Sequence, residues 1–116
     1  MTKGQDRGIE YRIEELTFRN VDTYETLDGI LSGDFLAEVT VTNLSSTETD
    51  TVLLITYDKS GRMLDMSYLY ANPQVGQTIT LGTRIQNSKG QVGKVKALVL
   101  PNLADPTPLA NAVEKT

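Results

Sequence analysis

Thr51–Tyr70 reads TVLLITYDKSGRMLDMSYLY, two apolar runs separated by the four residues Asp58–Gly61. Aspartate at the first position and glycine at the fourth are typical of a type I turn followed by a left-handed residue, a common β-hairpin connection. The stretch therefore predicts two antiparallel strands, and the turn geometry predicts their register. We expect the other segments of the chain to be strands that pack around this hairpin.

The predicted register places Thr56 opposite Leu64 and assigns the hairpin two faces. The core face is expected to contain Val52, Leu54, Leu64, Met66 and Tyr68. The outer face is expected to carry Leu53, Ile55, Tyr57, Met63 and Leu69. If exposed, these outer side chains would form a large apolar patch, and such patches usually mark an interface. The five outer residues are therefore candidate binding residues.

The rest of the chain also shows the two-residue period of strands. In residues 9–18 the apolar positions slip from odd to even at Glu14-Glu15, which predicts a β-bulge. Further strands are predicted over 34–43, 77–86, 94–100 and 109–113. About seven strands, separated by turn residues, predict an all-β, antiparallel immunoglobulin-like sandwich. Because the cysteines and tryptophan of immunoglobulin domains are missing, a fibronectin-III-like variant is the better description.

The length of 116 residues fits one domain, which we expect to span residues 9–116. Residues 1–8 (MTKGQDRG) contain no apolar segment and are predicted to be a flexible lead-in or a remnant of excision from a longer chain. No apolar run approaches the roughly 18 residues of a membrane helix, so a membrane partner is not expected.

The composition argues against several kinds of chemistry. The chain contains neither cysteine nor histidine, the residues that supply most nucleophile–base pairs and most transition-metal sites. The formal net charge of −4 disfavours binding to the phosphates of nucleic acids. We therefore expect no enzymatic activity, no cofactor and no nucleic-acid partner.

The loop over residues 20–33 is the one place where acidic side chains gather. Asp22, Asp28 and Asp34 could supply oxygen ligands to calcium, but their spacing matches no EF-hand. A solvated loop without metal is the favoured interpretation. The same loop carries Tyr24, an aromatic side chain that could stack on a sugar ring.

Two motifs resemble those of small all-β modules in secreted, multidomain proteins of Firmicutes. Tyr57–Leu64 (YDKSGRML) is similar to their YDxxGxxL hairpin, and Val95–Leu103 (VKALVLPNL) with Pro108-Leu109 is similar to their VKAFxW ending. The resemblance covers about residues 34–114 and implies an immunoglobulin-like or fibronectin-III-like accessory module located extracellularly or at the cell surface. Leu100 and Pro101 stand where those modules carry Trp and Asp, so a role that depends on the tryptophan is not implied here.

Three functions follow as hypotheses. The first is a non-catalytic accessory or spacer module of a larger extracellular bacterial protein, associated with polysaccharide degradation or the cell surface, whose partners are neighbouring domains of that chain. The second is a carbohydrate-binding module that uses Tyr57 and Tyr24. The third is a protein–protein interaction module that uses the outer face of the 51–70 hairpin.

Overall fold

The computed structural model describes residues 9–105 and 107–116, and these residues form strands and turns without a helix. The part of the chain described therefore contains no helix that could cross a membrane. The predicted lead-in over residues 1–8 lies outside the described residues. The strands are β1 (Tyr11–Asn20), β2 (Thr26–Leu27), β3 (Phe35–Asn43), β4 (Asp50–Asp58), β5 (Met63–Ala71), β6 (Thr78–Ile85), β7 (Val92–Leu100) and β8 (Val113–Lys115).

The strands form two antiparallel sheets, ordered β2-β1-β3-β6 and β5-β4-β7-β8. The predicted all-β sandwich is thus confirmed, with eight strands among the described residues instead of about seven. The additional strand, β2, lies within the loop that follows β1. The closing strand begins at Val113, not at Leu109, because Leu109 is fully buried and its backbone bonds to Val99 and to the start of β1.

The core lies between the sheets and is built from the inward-facing residues of the alternating strands. Phe18 and Phe35 meet edge to face at its centre, with ring centroids 5.0 Å apart. Val39, Val52 and Leu54 are fully buried around them. Each such side chain stabilises the fold by about 1.5–3 kcal/mol relative to an exposed one. The predicted bulge in β1 is confirmed, since the pairing with β3 shifts between Ile13 and Glu15.

The hairpin turn has the predicted geometry. Gly61 adopts a left-handed conformation with φ of 91°, and its N–H donates to the carbonyl of Asp58 at 3.1 Å. The Asp58 carboxylate accepts the N–H groups of Ser60 and Arg62, both at 2.9 Å. These hydrogen bonds, that from Arg62 first, lower the pKa of Asp58. The turn is therefore held by the side chain that identified it in the sequence.

The predicted register beyond the turn is wrong by one residue. Tyr57 pairs with Met63, but Thr56 pairs with Asp65, so Leu64 forms a bulge. The bulge inverts the faces of β5, because one extra residue moves every later side chain to the opposite face. Leu64, Met66 and Tyr68, which were expected in the core, are exposed. Val52 and Leu54 lie in the core as predicted.

A buried polar cluster fixes the connection between β3 and β4. The Asn43 amide donates to the carbonyls of Ser46 and Pro73 at 2.8 and 2.7 Å, and Asn43 also accepts the Ser46 N–H. The Ser46 hydroxyl donates to the carboxylate of Asp50, which is fully buried. Burial, followed by the charge of Asp50, raises the pKa of Tyr11 beside this cluster. The connection is thus part of the rigid framework.

Candidate functional site

The outer surface of the β5-β4-β7-β8 sheet is the main apolar surface of the described structure. Paired residues of neighbouring strands share a face. Leu53 pairs with Tyr68 on β5 and with Leu98 on β7, and Thr51 pairs with Tyr70 and Leu100. We call this surface the outer patch. It consists of Leu53, Ile55, Tyr57, Met66, Tyr68, Tyr70, Leu98 and Leu100.

Burial within the outer patch varies from its centre to its β5 side. Leu53 and Ile55 are only 6% and 8% exposed because they lie on the central strand β4, between apolar neighbours on β5 and β7. Tyr68 and Tyr70 on the edge strand are 48% and 68% exposed. A ligand on this surface would therefore meet the two tyrosines first, above an aliphatic floor.

Lysines border the outer patch on the side of β7. Lys94 pairs across the strands with Tyr57, and its ammonium lies 5.0 Å from the centre of the tyrosine ring. Lys94 also forms an ion pair with Glu114 at 3.4 Å. Lys96, the partner of Ile55, is half-buried beside them. An apolar centre with aromatic residues and a charged rim is the usual anatomy of a protein interface.

The structure brings four of the five hairpin candidates together and displaces the fifth. Leu53, Ile55 and Tyr57 lie in the outer patch, and Met63 is exposed at its end, opposite Tyr57. Leu69 was expected on the same face, but it packs against the core between the sheets. The bulge at Leu64 causes this difference. Tyr57 is half-buried and covered on one side by Lys94, which reduces its value as a sugar platform.

Tyr24 lies in the connection between β1 and β2 at the opposite sheet, away from the hairpin candidates, in a left-handed conformation with φ of 63°. Its hydroxyl donates to Glu38, and the guanidinium of Arg19 lies 4.5 Å from its ring centre. Arg19 also donates to Glu38 at 2.7 Å. The hydrogen bond from Tyr24 lowers the pKa of Glu38 and raises the pKa of Tyr24. The ring thus serves a structural network, and one of its faces is occupied.

The three aspartates proposed as calcium ligands do not converge. Asp34 bonds to the backbone N–H of Asn87 at 2.8 Å and pairs with Arg84, and both contacts lower its pKa. Asp22 and Asp28 are exposed. Over residues 9–105 and 107–116, no three carboxylates gather as a metal site would require.

An open cavity of about 260 Å³ lies beside the bulge, where β4 and β5 meet the turn that precedes β7. Its walls include Thr56, Asp65, Gln86 and Gln91, which offer amide, hydroxyl and carboxylate groups. Asp65 is the single carboxylate among its lining residues. General acid–base hydrolysis of glycosides uses a pair of carboxylates, so this cavity lacks that arrangement.

Sequence reasoning missed Met66, Tyr68 and Tyr70 as surface residues. Both faces of β5 carry large apolar side chains, so the two-residue period favours neither register. One signal was present: two tyrosines two residues apart necessarily share a face of a strand. They form the most exposed part of the outer patch.

The fold and this surface define a β-sandwich module with an apolar face on one sheet. No protein-family model matches the sequence, and the curated proteins give no match either. Among solved structures, the chain is similar to a β-glucosidase from Kluyveromyces marxianus, at 11% identity and a TM-score of 0.41 over 90% of this chain. A mutant β-glucosidase from Listeria innocua in complex with laminaribiose matches at 17% identity and a TM-score of 0.36 over 91% of this chain.

The chain spans only 14% and 16% of the length of those two glucosidases. Likenesses at these identities and TM-scores are too weak to assign a function to this chain.

Proposed function

We propose that this chain is a non-catalytic accessory module of a larger extracellular bacterial protein, and that it works by packing the outer patch against a neighbouring domain of that protein. The observation that carries the proposal is the exposure of Tyr68 and Tyr70 beside Leu53 and Ile55 on one face of a sheet. Isolated apolar side chains are normal on protein surfaces, whereas contiguous apolar faces mark contacts.

The chemistry of the rim specifies the partner surface. Lys94 and Lys96 border the outer patch, and Lys96 makes no ion pair with a described residue. A partner with an apolar centre and a carboxylate opposite Lys96 would complement both parts. Tyrosine and methionine, which are enriched in interface centres, supply the exposed contact area here.

The accessory role and the extracellular location are supported by the YDxxGxxL hairpin and the VKAFxW-like tail. A fibronectin-III-like description is supported by the sheet orders. In constant-type immunoglobulin domains the fourth strand joins the sheet of the first two. When the two-residue strand β2 is not counted, the fourth strand of this chain is β5, and β5 pairs with β4 in the second sheet.

The test is binding in trans between this module and the domain that flanks it in its natural chain, measured by calorimetry. We expect the double variant Tyr68→Ser, Tyr70→Ser to weaken binding at least about tenfold, since two exposed aromatic anchors are lost. Tyr24→Ser is the matched control, because Tyr24 is 52% exposed on the other sheet. Equal binding by the double variant and the wild type would refute the proposal.

Carbohydrate binding is a second candidate, favoured by the row formed by Tyr68 and Tyr70 on the edge strand. Residues two apart on a strand are separated by about 6.5–7 Å, and their rings could contact successive parts of a polysaccharide. Affinity electrophoresis in gels that contain a soluble polysaccharide tests this candidate. Retardation that disappears in Tyr68→Ser and persists in Tyr24→Ser would favour it, and unchanged mobility across plant and bacterial polysaccharides would exclude it.

A further inference from the structure

The edges of the two sheets differ greatly in length. On one side of the sandwich the edge strands are β2 and β8, with two and three residues. On the other side they are β5 and β6, with nine and eight. Short edge strands limit pairing with other chains, whereas a long edge presents a row of unpaired backbone groups. The β5–β6 side is therefore the side at which another strand could add.

The backbone of β5 presents hydrogen-bonding groups at its free edge. The N–H of Met66 donates to the side chain of its own neighbour Asp65 at 2.8 Å, so it is not used by β4. Backbone groups in an antiparallel pair alternate between facing the partner and facing away. The groups of Tyr68 and Tyr70 therefore face the same free edge as those of Met66.

The regular part of this edge carries one of the usual protections against pairing, the charge of Asp65, whose carboxylate accepts the Met66 N–H. Beyond the bulge at Leu64, β5 runs from Asp65 to Ala71, and it contains one charged residue and neither lysine nor proline. Strand β6 likewise contains one charged residue and neither lysine nor proline, but its exposed residues carry no apolar side chain. Those of β5 include Met66, Tyr68 and Tyr70, which could form apolar pairs with an added strand. Lysine, proline and charge are the common means by which natural edge strands avoid association.

We propose that two copies of this chain associate through the free edge of β5, which joins their β5-β4-β7-β8 sheets into one continuous antiparallel sheet. The two-fold axis passes beside Tyr68, the middle residue of the regular stretch Asp65–Ala71. This contact goes beyond the proposed function, because the partner is a second copy of the chain and the backbone edge makes the contact.

The sequence of the edge is self-complementary in this register. Tyr68 lies opposite its own copy, and Met66 lies opposite Tyr70, so the face of the outer patch gains aromatic–aromatic and sulfur–aromatic pairs. Asp65 lies opposite Ala71 instead of a second carboxylate. The outward-facing backbone groups of Tyr68 and Tyr70 are available for this pairing, and the N–H of Met66 joins it by exchanging its bond to Asp65 for one to the second copy. The bulge stays outside the pairing.

The contact is small and each chain carries a net charge of −4. We therefore expect weak dimerisation, with a dissociation constant on the order of 10 μM to 1 mM. Screening of the charge by added salt should strengthen it, since the two copies repel each other over a distance comparable to the Debye length.

Sedimentation equilibrium of the isolated chain over this concentration range tests the proposal. The variant Ser67→Lys places an inward-pointing charge on the edge strand, since Ser67 is half-buried opposite Leu54, and it leaves the side chains of the outer patch unchanged. Its circular dichroism spectrum is compared with that of the wild type to establish that it folds. We expect its dimer to be at least about tenfold weaker than that of the wild type, because an edge lysine opposes strand addition. A monomeric wild type at about 1 mM, or equal dimerisation of Ser67→Lys and the wild type, would overturn the proposal.

Cross-linking tests the register, since the chain has no cysteine of its own. We expect Tyr68→Cys to form a disulfide-linked dimer under mild oxidation, because paired residues next to the two-fold axis fall within disulfide range. Tyr24→Cys, equally exposed on the other sheet, should not. Equal cross-linking of both would contradict the proposal. Ser67 is not part of the outer patch, so we expect Ser67→Lys to bind the flanking domain as the wild type does. Failure of the dimer proposal can therefore be distinguished from failure of the proposed function.

Discussion

At the residue scale, the composition of the outer patch depends on which face of the hairpin each side chain occupies. Strand β4 is apolar without interruption from Val52 to Ile55, so its faces follow from the turn and not from a period, and Val52 and Leu54 lie in the core as the turn predicts. The β5 residues were assigned to the wrong faces because apolar side chains stand at both odd and even positions. A side-chain pattern of this kind cannot reveal a bulge, whose existence depends on backbone geometry.

Truncation of two leucines measures the faces directly. We expect Leu54→Ala to lower the free energy of unfolding by about 2–5 kcal/mol, because it leaves a cavity in a packed core. Leu64→Ala, at a position 40% exposed, should cost less than about 1 kcal/mol. Urea unfolding monitored by circular dichroism gives both values. A large loss of stability for Leu64→Ala would contradict the bulge, because it would show that Leu64 is buried as the register without a bulge requires.

Acid should destabilise the fold through carboxylates such as Asp34, whose pKa is lowered by the Asn87 N–H and by Arg84. A group with a lowered pKa in the folded state contributes stability above its usual pKa, here 3.8, and that contribution is lost as the pH falls below it. We therefore expect Asp34→Asn to be less stable than the wild type at pH 7 and the difference to shrink towards pH 2.

Thermal melts of both proteins between pH 2 and pH 7 give this comparison. Asp28→Asn, an exposed aspartate of the same loop, is the control and should match the wild type within about 0.5 kcal/mol. A difference between Asp34→Asn and the wild type that stays constant with pH would show that the carboxylate charge is not involved.

At the element scale, local chemistry predicted the turns better than the pairings. Asp58 and Gly61 determine the hairpin turn. Their roles can be predicted from the sequence because few other residue types can fill these two positions of the turn. The bulge at Glu14-Glu15 was also predictable, since the apolar period slips there. Strand β2 was missed because two residues in a polar loop produce no period.

Substitution of Gly61 isolates the contribution of the turn. Its φ of 91° is unfavourable for residues that have a Cβ, and no atom lies within 4 Å of a Cβ added at this position. The loss of stability on substitution therefore comes from the strained backbone conformation and not from a steric clash. We expect Gly61→Ala to lose about 1–2 kcal/mol of stability and Gly61→Asn to lose less, because asparagine tolerates the left-handed region. Equal losses in urea unfolding would contradict this explanation.

At the scale of the whole molecule, the sequence predicts the two-sheet sandwich but not its functional surface. The fold follows from the alternation in β3, β6 and β7, which identifies enough strands that one wrong register in the hairpin does not change the fold class. The outer patch depends on a single bulge, since the bulge alone brings Tyr68 and Tyr70 beside Leu53 and Thr51. The periodicity of a sequence describes a whole strand and does not reveal a single inserted residue such as Leu64.

The proposed function requires that the outer patch be covered by a neighbouring domain in the parent protein. Hydroxyl-radical footprinting tests it by comparing the longer parent protein that the proposal requires with the isolated chain at low concentration. We predict that Tyr68 and Tyr70 are oxidised at least about fivefold more slowly in the parent protein, because an interface excludes water from its centre. Tyr24, of similar exposure on the other sheet, should react equally in both. Equal oxidation of Tyr68 and Tyr70 in the two samples would contradict the proposed function.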